Sequence, residues 1–298
     1  MQNRDIPYKH GFEDLIEQDD LLLHSLINFT SLFSEVFDVV APKAICEIGV
    51  ESGRFSRFLL DYCARRNVRY SGVDTNEASF AAHDGYPDAA RYVMSSLRFL
   101  QGKRLYHDLF ILDGDHNYYT VCQELKGISR IAALAKRQFP VVFVHDTGWP
   151  CAFRDVYYAP NSLPPRHVHP FSYGGVTINT PQVLPDGGFR GEGAWAVGKQ
   201  HGGPRNGVKQ AVLDVVAASE EPLEAFFIPA IFGLAVIYAP SQCAPEVREG
   251  METALAPWRK LAPFLALMEY NRLQLYLKVI ELQDADAKRQ KSEKRNMS

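Results

Sequence analysis

Apolar positions change their period along the chain. Over residues 12–40, Leu15, Leu22, Leu23, Leu26, Ile27, Phe33, Val36 and Phe37 recur at helical spacing, which predicts one or two N-terminal helices. From Ala44 onward, short strand-type runs alternate with helical ones. Residues 44–50, 69–74, 91–94, 109–113 and 140–145 read as five strands, with helices over 55–65 and 118–137. Repeated units of this kind predict an α/β, Rossmann-like doubly wound sheet with right-handed crossovers and helices on both faces. A helix over 207–219 and strands at 223–228 and 234–238 resume the pattern later, one of those strands antiparallel to an otherwise parallel sheet. Residues 251–283 are helical with apolar side chains on more than one face (Phe264, Leu265, Met268, Leu273, Tyr276, Leu277, Ile280), which predicts burial against the core or a second subunit. The polar end, 288–298, is expected to fray.

The stretch 147–200 interrupts this order. Fifteen of its 54 positions are Gly or Pro, a bias typical of disorder, yet it also holds Trp149, Phe153, Tyr157, Tyr158, Phe171, Tyr173, Phe189 and Trp195. Disordered segments are poor in aromatics, so this is expected to be an irregular but ordered insertion over the site. The organisation that follows is an N-terminal helical segment (1–40), a main domain (41–240) carrying the insertion, and a C-terminal helix with a polar tail (251–298).

Composition narrows the class. A hydrophobic fraction of 46% and a charged fraction of 22% suit a globular protein with a sizeable core. The net charge of -3 gives no general pull toward nucleic acid or anionic membrane, and no basic stripe is interleaved with aromatics. The longest largely apolar run, 226–240, is too short for a membrane span and contains Pro229 and Gly233. Five cysteines without a C-x-x-C pair read as reduced thiols in a cytoplasmic protein, and acidic residues interrupt every apolar stretch near the N-terminus, as no signal peptide would.

Two groups of residues carry candidate chemistry. Strand one ends in Glu47-Ile-Gly-Val-Glu-Ser-Gly53, and strand two closes on Asp74 about twenty residues beyond. Glycines at such a turn let backbone approach a ligand, and an acid at the tip of the next strand suits ribose hydroxyls. The G-x-x-x-G spacing departs from the dinucleotide G-x-G-x-x-G, which disfavours a nicotinamide oxidoreductase and favours S-adenosylmethionine. Any βα turn can nevertheless contain two glycines. The second group is Leu112-Asp-Gly-Asp-His-Asn-Tyr118 with Val144-His-Asp-Thr147, at the carboxyl ends of strands expected to be neighbours. There Asp113 and Asp146 could share a hard cation such as Mg²⁺ or Mn²⁺, with His145 or Asp115 nearby. Equally, Asp113 and Asp115 could serve only to cap the next helix. His116 is the general-base candidate, against a structural role in the first turn of that helix. His167 and His169 read as surface-loop residues, and Arg205 as a turn residue that could face an acceptor. No P-loop, G-x-S-x-G elbow or H-E-x-x-H occurs.

Together, Glu47 to Gly53, Asp74, Leu112 to Tyr118 and His145-Asp146 resemble class I S-adenosylmethionine-dependent methyltransferases. Within that class they resemble the D-G-x-H-x-Y branch, which includes macrolide sugar O-methyltransferases and cephalosporin-hydroxylase-like proteins. The likeness covers roughly 40–150 and, more weakly, 200–240. It implies that Glu47, Gly49, Glu51, Gly53, Asp74 and Asp113 contact the cofactor, that Asp113, Asp146 and His145 surround a divalent cation, and that His116 is the base. Two departures stand out: His145 replaces a Glu of those relatives, and Glu51 replaces a common middle glycine. The implied activity is O-methylation of a sugar hydroxyl on a glycan or glycosylated natural product, with a carbohydrate acceptor stacking on the insertion's aromatics. The competing expectation is a hydroxylase-like or non-catalytic protein of the same fold.

Overall fold

The computed structural model describes residues 23–296. Part of the expected N-terminal helical pattern, residues 12–22, lies outside these, as do Met297 and Ser298. A 3-10 turn (Leu26–Phe29) leads into α1 (Thr30–Val40), whose buried face is Leu32, Phe33, Val36 and Phe37. The sheet then builds through β1 (Ala44–Ile48), α2 (Arg54–Arg66), β2 (Arg69–Asp74), β3 (Ala90–Val93), α3 (Ser96–Gly102), β4 (Leu109–Leu112), α4 (Tyr118–Leu134) and β5 (Val141–His145). Short strands β6 (Val156–Tyr157), β7 (Phe171–Ser172), β8 (Gly175–Thr177), β9 (Thr180–Leu184) and β10 (Ala196–Gly198) organise the insertion. The fold closes with α5 (Val208–Ala217), β11 (Glu224–Ile228), β12 (Leu234–Tyr238) and α6 (Pro245–Asn296).

The main sheet runs β11-β12-β5-β4-β1-β2-β3. Strands β1 to β5 pair in parallel, while β12 is antiparallel to both β5 and β11. Alternation sorts side chains between two buried faces. Cys46, Ile48, Phe110, Leu112, Val142 and Val144 meet residues of α4 and α5, and Ile45, Leu109, Ile111, Val141 and Phe143 meet those of α1, α2 and α6. The chain reverses winding direction between β1 and β4, and ligands of such sheets bind at the strand ends there.

The Gly/Pro-rich insertion is ordered by its rings: Trp149, Phe189 and Trp195 pack on the core beside α4 and α5. Its polar anchor is Asp155, fully buried, whose carboxylate accepts from the Tyr118 and Gly207 N–H groups and from the Tyr157 hydroxyl. The Asn206 side chain accepts from the Asp155 N–H and donates to the Gln200 and Gly202 carbonyls, and Gly207 stands at the cap of α5.

Three elements depart from the sequence expectation. Glu77–His83 forms a 3-10 helix and Ser96–Gly102 an α-helix, both too short for a clear apolar period. The terminal helix is longer than 251–283, and its polar end stays helical to Asn296, supported by pairs such as Asp286 with Arg289 and Gln290. Among the described residues, no helix is long and apolar enough to cross a membrane.

Candidate active site

Gly49 sits where β1 turns, with φ +88°, and a Cβ there would come within 2.1 Å of the Asp113 carbonyl. Only glycine lets the β1 turn approach the end of β4 this closely. The Asp74 carboxylate, at the tip of β2, accepts from the Val50 and Glu51 N–H groups at 2.9 and 3.2 Å and from the Asn76 N–H at 2.8 Å. The acid thus fastens the glycine turn while facing the same cleft. Gly49, Glu51, Asp74, Asn76, Ser95 and Ser96 line one half of that cleft, whose volume is about 760 Å³.

Glu47 and Gly53 stand apart from it. Glu47 lies on the other face of β1, where it is buried and accepts a hydrogen bond from the Tyr70 hydroxyl. Burial pushes its carboxyl up to about 8 against the opposing hydrogen bonds from Tyr70 and Ser56. Strand alternation directs the Glu47 side chain beneath α2, outside the residues that line the cleft. Gly53, with φ +71°, is the cap of α2 and packs against Ala82.

The second group assembles at the ends of β4 and β5. Register pairs Leu112 with Val144, so Asp113 and His145 emerge side by side. His145 Nδ1 is 3.0 Å from Asp113 Oδ1 and 3.9 Å from Asp146 Oδ2. Its Nε2 lies 3.0 Å from the Ile231 carbonyl, which can only accept, so Nε2 carries a proton. Nδ1 then either holds a second proton or points a lone pair at a carboxylate. In both cases positive charge belongs among the three residues. Burial lowers the imidazole's affinity for protons, but Asp113 and Asp146 outweigh it and leave His145 raised to about 9.

The same three residues fit a divalent cation. One oxygen from each of Asp113 and Asp146 and one His145 nitrogen lie within 4.8 Å of one another. A ligating imidazole normally donates its other N–H to a carbonyl, as His145 does to Ile231. A nitrogen among the donors suits Mn²⁺ better than Mg²⁺. Asp146 itself holds φ +59°, an uncommon backbone for a residue other than glycine.

His116 is buried near the start of α4, and its Nδ1 lies 3.2 Å from Asp146 Oδ2. The carboxylate favours the proton on Nδ1 and leaves Nε2 as the basic atom. The Tyr158 ring lies 5.7 Å from the imidazole, at the boundary between the two halves of the cleft. Asp115 turns aside: its Oδ2 accepts from Asn117 and Thr120, and burial raises its carboxyl above the ordinary range.

The other half of the cleft is aromatic. Phe189 lies 5.2 Å from Trp195, 5.6 Å from Phe232 and 5.8 Å from Tyr276, so the insertion, the β11–β12 turn and α6 share one wall. Phe232, Tyr276 and His24 belong to segments that the sequence pattern marked only as turn or helix. Arg205, His167 and His169 are elsewhere: His167 stacks on Tyr119, and His169 donates to the Arg205 carbonyl.

No protein-family model and no curated protein matches the chain. Among solved structures, it is similar to an S-adenosylhomocysteine-bound methyltransferase of Podospora anserina at 14% identity, over 72% of this chain and 79% of that one, with a TM-score of 0.44. A Bacillus cereus O-methyltransferase in complex with S-adenosylhomocysteine matches at 12% identity, over 77% and 95% of the two chains, with a TM-score of 0.42. The Streptomyces achromogenes O-methyltransferase TomG, bound to S-adenosylmethionine, matches at 12% identity over 77% and 94%, with a TM-score of 0.40. These likenesses are distant, and the chemistry available to this chain follows from its own cleft.

Proposed function

We propose that the chain is an S-adenosylmethionine-dependent O-methyltransferase acting on a sugar hydroxyl, with His116 as general base. The observation that carries this reading is the His116–Asp146 contact of 3.2 Å in a cleft whose other lining includes the Asp74-fastened glycine turn. S-adenosylmethionine, bound against Gly49, Glu51 and Asp74, supplies an electrophilic methyl group. His116 takes the hydroxyl proton as the acceptor oxygen becomes nucleophilic, and Asp146 stabilises the resulting imidazolium. Asp113, His145 and Asp146 would hold a divalent cation, which supplies Lewis acidity toward the acceptor oxygen. The aromatic wall of Phe189, Trp195, Phe232 and Tyr276 supports a carbohydrate, whose apolar ring faces stack on such surfaces while its hydroxyls reach the acidic cluster. A second copy of the chain would meet α6 at Leu261, Met268, Leu275 and Leu282, exposed and seven residues apart.

The test is transfer of labelled methyl from S-adenosylmethionine to a panel of glycosides, alongside calorimetry with S-adenosylhomocysteine. Methylated sugar with a lost hydroxyl proton supports the reading. Cofactor binding without transfer to any acceptor would favour the non-catalytic alternative.

A further inference from the structure

The turn between β11 and β12 is unusual for its residue types. Ile231, Phe232 and Gly233 have φ of +52°, +61° and +84°, three successive left-handed residues of which one is β-branched. Backbone of this kind persists only where its surroundings over-determine it.

Part of these surroundings is the segment after β5, where the Thr147 and Gly148 N–H groups donate to the Gly233 and Phe232 carbonyls, and the rest is two residues of α6. Glu269 is buried, with Oε2 accepting the Ile231 N–H at 3.1 Å and Oε1 accepting the Phe232 N–H at 2.9 Å. Arg272, three residues further along the helix, donates from Nε to Oε2 and from Nη2 to Oε1, both at 2.7 Å. Each carboxylate oxygen therefore takes one backbone and one guanidinium hydrogen bond. The third guanidinium nitrogen donates to the Leu23 carbonyl at 2.7 Å, and the cation lies 4.7 Å from the centre of the Phe232 ring. Docking a helix would not require a carboxylate to grip two consecutive N–H groups of a strained turn. The gripped Phe232 N–H shares one planar peptide unit with the Ile231 carbonyl, which accepts from His145 Nε2 at 3.0 Å.

We infer that Glu269 and Arg272 are positioning residues of the cluster at β4 and β5. They hold the Ile231 carbonyl where it fixes a proton on His145 Nε2 and turns Nδ1 toward Asp113 and Asp146. The inference rests on the proposed function for the cluster's catalytic meaning, while its geometric half stands without it. It also gives α6 a function in the site beyond the Tyr276 wall.

The experiment compares Glu269→Gln, Arg272→Lys and, as a control on the exposed face of the same helix, Glu281→Gln. Nitrogen NMR of the imidazoles reports the proton on His145 Nε2 directly, with the resonance assigned by its loss in His145→Asn. In Glu269→Gln one of the two N–H groups loses its acceptor, so the His145 Nε2 signal should move while the Glu281→Gln spectrum matches wild type. Turnover should fall about 10-fold or more, the usual effect of losing a group that orients a ligating or catalytic side chain, with S-adenosylhomocysteine affinity unchanged. In a His145→Asn background, Glu269→Gln should cost nothing further. An unmoved His145 signal, or losses that add in the double variant, would overturn the inference and leave the pair as a helix dock. Arg272→Lys keeps the carboxylate on the turn but loses the fork, and carries the same readout if Glu269→Gln does not fold. Absence of methyl transfer in the wild-type protein would overturn the functional reading alone, because the NMR comparison is independent of turnover.

Discussion

His116 Nδ1 lies 3.2 Å from Asp146 Oδ2, which joins the approach to α4 with the tip of β5. The pair follows from topology, since parallel neighbours β4 and β5 release their next residues at the same edge of the sheet. With the proton favoured on Nδ1, the base in the proposed reaction is Nε2. His116→Ala should lower kcat by about 10²–10⁴-fold, the range for a positioned proton acceptor, with cofactor affinity unchanged. Asp146→Asn should also lower kcat, because it removes the carboxylate beside His116 and one of the three donors to the cation. Turnover that survives His116→Ala would remove this base.

Asp74 does two things at once, because its carboxylate fastens the Val50 and Glu51 N–H groups and faces the cleft. Asp74→Ala should weaken S-adenosylhomocysteine binding by about 1.5–3 kcal/mol, the cost of charge-assisted hydrogen bonds lost from a partly buried site. Calorimetry decides it, and an unchanged dissociation constant would move the nucleoside site elsewhere.

The parts of this molecule legible in the sequence are those set by local period and by strand ends. The short apolar runs at β1, β4 and β5 located the sheet, and the acids and imidazoles at those ends met in space because parallel strands align them. What stayed illegible depends on distance in the chain. Nothing local in Glu47 distinguishes the cleft from the far face of β1, where burial beside Tyr70 holds its carboxyl. Nothing local in Glu269 indicates that it captures the N–H groups of Ile231 and Phe232, 38 and 37 residues away. The 3-10 helix Glu77–His83 has too few turns to declare a period.

Glu124 gives a pH prediction. Burial raises its carboxyl to about 8, with Ser96 opposing and Asp115 assisting, while the unfolded chain titrates near the ordinary value of 4.5. Glu47 behaves alike, raised to about 8 by burial. In this window the folded state binds more protons than the unfolded state, so stability is full at low pH and falls as pH rises toward 8. Each carboxyl contributes a slope of up to about 1.4 kcal/mol per pH unit. Glu124→Gln, which keeps shape and removes the titration, should flatten the fall in urea unfolding free energy between pH 5 and pH 8. A Glu124→Gln slope equal to that of the wild type would contradict the Glu124 assignment.

The last prediction concerns the charge among Asp113, His145 and Asp146. Geometry demands a positive charge there, and two carriers satisfy it: a second proton on His145 or a divalent cation on the three donors. They separate experimentally. With a cation, a chelator should abolish methyl transfer while S-adenosylhomocysteine still binds, and Mn²⁺ should restore turnover more fully than Mg²⁺ because the set includes an imidazole nitrogen. Asp113→Asn should then weaken Mn²⁺ binding, measured by the paramagnetic signal of the free ion. Full activity in chelator, with that signal unchanged by protein, would instead leave His145 as an imidazolium bridging two carboxylates. His145→Gln distinguishes further, since it removes the buried cation but keeps a group able to donate to the Ile231 carbonyl. In the metal-free case it should destabilise the fold, because two partly buried carboxylates would lose the cation between them. In the metal case the cation replaces that charge, and stability measured with saturating Mn²⁺ should stay closer to wild type than stability measured in chelator.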